Sequence, residues 1–114
     1  MSTQRVEFEV PVPEEVQGII QDALPVEWQS GFEVLRLRDG MVIKVLDLDE
    51  RSHTLEARWL SLGAPGILRG PRLAYAYRTE TAEDNPEDLA RYLKVLKVLC
   101  AQEAELLPFV SRQM

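Results

Sequence analysis

The chain has 114 residues, 46% hydrophobic and 28% charged, with thirteen Lys and Arg against nineteen Asp and Glu for a formal net charge of −6. That length and balance describe a single soluble globular domain over residues 1–114, neither disordered nor fibrous, and exclude a large enzyme with separate cofactor and substrate domains. The acidity excludes a generic binder of nucleic acid or of anionic membrane, since both need a positive footprint.

Arg5 to Val10 alternates, with Val6, Phe8 and Val10 opposite Glu7 and Glu9, and predicts a half-buried first strand. Pro11 and Pro13 end it, because proline cannot donate to a strand ladder. Pro13 followed by Glu14 and Glu15 suits a helix start, where the dipole favours acids. Val16, Ile19, Ile20 and Ala23 or Leu24 then recur at helical spacing up to Pro25. A short connection follows, carrying Trp28.

From Phe32 the period changes to two. Phe32–Arg38 and Met41–Leu48 flank Asp39-Gly40, a pair suited to a tight hairpin turn. The apolar phase slips between Val34 and Leu35, which predicts a bulge or burial on both faces. Asp47 to Ser52 reads as a polar, solvated turn, with His53 exposed beside it. Thr54 to Leu62 then places Leu55, Ala57 and Trp59 opposite Glu56 and Arg58. Gly63 to Pro71 holds three glycines and two prolines and reads as a loop. Arg72 to Thr81 returns as a strand, with Leu73, Tyr75 and Tyr77 on one face.

Asn85-Pro86-Glu87-Asp88 supplies a cap, a proline and first-turn acids for a last helix. Its stripe of Leu89, Tyr92, Leu93, Leu96, Leu99, Cys100 and Leu106 runs to Pro108. The fold class that follows is α+β. An antiparallel sheet of about five strands, with a short helix after the first strand, carries the long C-terminal helix on one face.

Enzyme signals are absent, and the chain is read as non-catalytic. His53 is the only histidine and Cys100 the only cysteine, so no zinc site can be built, and a lone thiol on an apolar stripe is inert. Asp47, Asp49 and Glu50 lack the glycine and terminal glutamate of a calcium loop. The Gly/Pro loop lacks the ending of a phosphate loop. No metal ligand set, nucleotide fingerprint or cofactor is expected. A single cysteine, no leader-like segment and no membrane span make the cytoplasm the default compartment.

Two binding readings remain. In the first, a small apolar or amphipathic ligand sits between sheet and last helix, walled by Trp59, Tyr75, Tyr77, Tyr92 and Leu96, with Arg69 and Arg72 at a flexible mouth. Glu103, on the apolar stripe between Leu99 and Leu106, is a candidate buried carboxylate. In the second, the chain is a protein-interaction module, such as a homodimeric adaptor, immunity or antitoxin-type protein. There Val95 and Val98 widen the helix stripe beyond what two layers bury, and the surplus marks an interface. Residues 1–57 carry a net charge of −7 and residues 58–114 of +1. That asymmetry suits the orienting of a partner or a head-to-tail self-contact, although solubility alone accounts for it.

The opening Val6-Glu-Phe-Glu-Val-Pro-Val-Pro-Glu-Glu-Val16, with Ile19, Ile20, Asp22 and Trp28, resembles the start of START/Bet v 1-like, helix-grip domains. Those domains also close with a long amphipathic helix, as residues 86–107 would here. The resemblance implies a cavity between sheet and helix for apolar small molecules. It covers about a quarter of the chain plus the last helix. The family has six strands between its helices, and Phe32 to Thr81 has room for about four at ordinary strand lengths.

Overall fold

The computed structural model describes the backbone of residues 7–8 and, in full, residues 12–60, 66–78 and 85–110. The strands are β1 (Glu7–Phe8), β2 (Phe32–Leu37), β3 (Gly40–Leu46), β4 (Ser52–Trp59), β5 (Leu68–Arg69) and β6 (Leu73–Arg78). The helices are α1 (Glu14–Ala23), α2 (Pro86–Ala101) and α3 (Glu103–Leu106). All strand pairs are antiparallel, in the order β1-β2-β3-β4-β6-β5. Five of these strands are those predicted. The short β5 lies inside the stretch read as a loop, where Leu68 and Arg69 pair with Tyr75 and Ala74. The flanks of β1, and residues 61–65 and 79–84, lie outside the described residues.

Alternation decides which side of each strand meets the helices. Register lines up Val34, Ile43, Leu55 and Tyr77 across four strands, and Met41, Ala57 and Tyr75 in the next inner row. Val16, Ile20 and Ala23 of α1 and Tyr92, Val95, Leu96 and Leu99 of α2 close over this face in one buried cluster. The last helix starts as its sequence predicts. Asn85 Oδ1 accepts from the backbone N–H of Glu87 at 3.1 Å and of Asp88 at 3.4 Å. Among the described residues no helix is long and apolar enough to cross a membrane.

Three expectations are corrected, and one open alternative is decided. The β2–β3 loop is Arg38–Asp39 rather than Asp39-Gly40, because Leu37 pairs with Gly40. Gly40 opens β3 at φ +156°, where a Cβ would meet the Ala57 carbonyl and Arg58 Cα. No bulge interrupts β2, whose register is continuous from Phe32 to Leu37; the phase slip reflects burial on both faces, with Leu37 of the outer face buried like the inner row. The single long helix expected to Pro108 is broken at Gln102 (φ −101°, ψ 18°), and a short turn, Leu107–Phe109, follows α3. Finally, Val95 is no surplus. It is 1% exposed inside the core, whereas its neighbour Val98 is half-buried. Val95→Glu is therefore expected to unfold the chain, at a cost of about 3–5 kcal/mol. Urea denaturation checks this; a folded monomer would return Val95 to the surface.

Candidate functional site

The turn between β3 and β4 is tighter than the sequence suggests. Asp47 N–H donates to the Arg51 carbonyl at 3.0 Å, and Glu50 takes a left-handed φ of 64°. Strand β4 can then begin at Ser52, so His53 falls in phase with Leu55, Ala57 and Trp59 and points inward. The expectation that His53 is exposed is thus corrected: it is 1% exposed.

A histidine placed there needs polar partners, and it has two. One ring nitrogen, Nε2, lies 2.8 Å from Asp47 Oδ2, and Nδ1 lies 2.6 Å from the Tyr92 hydroxyl on α2. The Trp28 ring stacks on the imidazole at 4.2 Å, and Tyr77 stacks on Tyr92 at 4.7 Å. Asp47, expected in a solvated turn, is buried. Its Oδ1 accepts the backbone N–H groups of Asp49 and Arg51, both at 2.8 Å, while the Asp49 and Glu50 side chains stay in water. Burial alone would raise the Asp47 carboxyl, but the His53 hydrogen bond and the two backbone donors outweigh it and hold the pKa at about 2. Arg51 extends the network by bridging Asp47 to the fully buried Asp88 of α2, which Arg91 also pairs.

At the neighbouring strand ends lies an open concavity of about 600 Å³, lined by Gly31, Phe32, Glu33, Lys44, Val45, Leu46, Ser52, His53 and Thr54. Leu46 on its rim is 52% exposed, and Leu48 on the adjoining turn is 73% exposed. Glu33 and Lys44 face each other across β2 and β3. The lining draws on both faces of the sheet: Glu33, Lys44, Leu46, Ser52 and Thr54 alternate away from the helices, and Phe32 and the buried Val45 and His53 toward them. Nothing in the sequence flagged this group, because it joins residues from three strand ends.

The ligand wall expected under the last helix is assembled, but its members touch one another. Trp59, Tyr75, Tyr77, Tyr92 and Leu96 share the core cluster, with Tyr75, Tyr92 and Leu96 fully buried. Their hydroxyls are used internally: Tyr92 on His53, and Tyr75 donating to Glu103 Oε1 at 2.5 Å. Glu103 is the buried carboxylate anticipated, 4% exposed, and its Oε2 also accepts the Arg72 N–H at 2.8 Å. Burial, with the Glu103 charge beside it, pushes both the Tyr75 hydroxyl and the Cys100 thiol up, so neither is poised to ionise. Arg69 and Arg72 are exposed on β5 and the following turn, away from the His53 network. Among the described residues no cluster could hold a metal ion.

Comparison with protein-family models, with curated proteins and with solved structures finds no match for this chain.

Proposed function

We propose that this chain is a non-catalytic binding domain that takes a small amphipathic ligand in the concavity at the ends of β2, β3 and β4, rather than between sheet and α2. The observation that carries the reading is the mixed lining of a ~600 Å³ concavity with Leu46 half-exposed on its rim. That volume lies within the range of ligand sites, which combine an apolar wall with a few fixed polar groups. Leu46, with the half-buried Phe32, takes the apolar part, and Lys44 or Glu33 takes a charged end. Binding rather than turnover fits because both His53 nitrogens are already engaged, by Asp47 and Tyr92, leaving no ring nitrogen for a substrate.

Thermal unfolding with decanoate and with decylamine, each below its micellar concentration, tests the reading. A chain carrying such a site is stabilised by mass action, by about 2–3 kcal/mol at a hundredfold excess over Kd. Leu46→Asp should abolish the shift while leaving the unliganded transition in place, since Leu46 lies outside the core. Lys44→Glu should exchange the preference between the two probes. No shift with either probe, or a shift that Leu46→Asp leaves intact, would contradict the assignment.

A further inference from the structure

Helices α1 and α2 lie side by side over the sheet and leave a second concavity, of about 470 Å³, lined by Glu14, Glu15, Gly18, Ile19, Asp22, Val98, Gln102 and Glu105. Its floor is apolar, with Ile19 and Val98 half-buried and nothing within 4 Å of where a Gly18 Cβ would stand. Its rim carries four carboxylates. Alone, that acidic rim says only that an occupant should be basic.

The rest of α2 supplies the occupant. Arg91, Lys94, Val98, Gln102 and Glu105 are spaced three, four, four and three residues apart, so they form one helical stripe. The hydrogen-bond ladder carries the stripe through the break, with Gln102 N–H on the Val98 carbonyl at 3.1 Å and Leu106 N–H on the Gln102 carbonyl at 3.2 Å. The spacing is symmetric about Val98 and the charge is antisymmetric: basic before it, acidic after it. Lys94, Lys97 and Glu105 are exposed, and Arg91 and Val98 half-buried.

We infer that this face binds a second copy of the chain, with the two α2 helices crossing antiparallel at Val98. A two-fold interface requires that if one residue meets another, the reverse contact also forms. The stripe meets that condition. Arg91 of each copy falls opposite Glu105 of the other, and Lys94 opposite Gln102. The partner's basic half, including Lys97, then lies over the 98–105 half, where Glu14, Glu15 and Asp22 of α1 reinforce the acid. Val98 and Ile19 supply the desolvated centre. A parallel arrangement would set acid on acid and base on base. This inference is independent of the ligand reading, which concerns the strand ends.

Sedimentation equilibrium of the full chain in 50 mM and 500 mM salt tests it. The expected result is a monomer–dimer equilibrium that weakens several-fold at the higher salt. Glu105→Lys and Val98→Glu should each raise the dissociation constant at least tenfold, with far-ultraviolet circular dichroism confirming that they remain folded. Asp49→Lys, the same charge change on the exposed β3–β4 turn, should leave it unchanged. A chain that stays monomeric at every concentration overturns the inference, as does a dimer that Glu105→Lys does not weaken; in either case the acidic groove would be left to a basic partner of another kind.

Discussion

Asp47→Ala is expected to remove about 3–5 kcal/mol of stability at neutral pH, a large part of what a domain of this size possesses. The substitution strips the partner from His53 Nε2, the acceptor from two backbone N–H groups and one end of the Arg51 bridge, all at a turn already held in a left-handed conformation. Asp47→Asn keeps an oxygen for the backbone donors and should cost roughly half as much. The pH dependence has a definite sign. The folded carboxyl sits near 2 against an ordinary 3.8, so its contribution is complete above about pH 4 and is lost as pH falls toward 2. The stability gap between wild type and Asp47→Ala is compared at pH 5 and at pH 2. The gap should narrow by roughly 2 kcal/mol on acidification to pH 2. Urea denaturation at several pH values measures this, and a gap below 1 kcal/mol at pH 7 would mean that the turn does not rest on Asp47.

Two Gly→Ala substitutions should act in opposite directions. At Gly70 the new methyl would land on Glu103 Oε1, 3.1 Å from the Tyr75 ring and 3.3 Å from Cys100 Sγ. Glu103 can retreat only by surrendering its hydrogen bonds to the Tyr75 hydroxyl and the Arg72 N–H inside the core, so a loss of about 2–4 kcal/mol is expected. At Gly18, inside α1 and with open space at the Cβ position, alanine should stabilise by about 0.5–1 kcal/mol through helix propensity. Melting temperatures at low protein concentration read both effects, at roughly 4–8 °C per kcal/mol. Equal signs would show that the packing around Gly70 is not tight.

The stability effects and the candidate sites rest on the same few contacts, and these differ in how legible they were. The alternation of Leu55, Ala57 and Trp59 and of Leu73, Tyr75 and Tyr77 was enough to orient β4 and β6, because a half-buried strand writes its facing into every second residue. Asn85-Pro86 marked the start of α2 for an equally local reason. His53 was misplaced because Asp47 to Ser52 looked uniformly polar. The signal that would have corrected it was its own phase with Leu55, two residues on. Its partners could not be read at all: Trp28 and Tyr92 reach it from 25 and 39 positions away, and only the folded topology brings them together. Glu103 was recognisable as a carboxylate on an apolar stripe, but its donors on Tyr75 and Arg72 come from a different element. Val95 was miscounted as surplus because the core cluster it joins takes in Val16 and Ile20 of α1 as well as the sheet, a packing that the stripe of α2 alone does not reveal.

The most direct test of the binding site is a chemical-shift map of the uniformly ¹⁵N-labelled chain titrated with decanoate and with decylamine. Perturbations concentrated at Gly31–Glu33, Lys44–Leu46 and Ser52–Thr54 are the predicted result. Perturbations centred instead on Tyr75, Tyr92 and Leu96 would place the ligand between sheet and α2 and contradict the account, and a silent spectrum with both probes would contradict it equally.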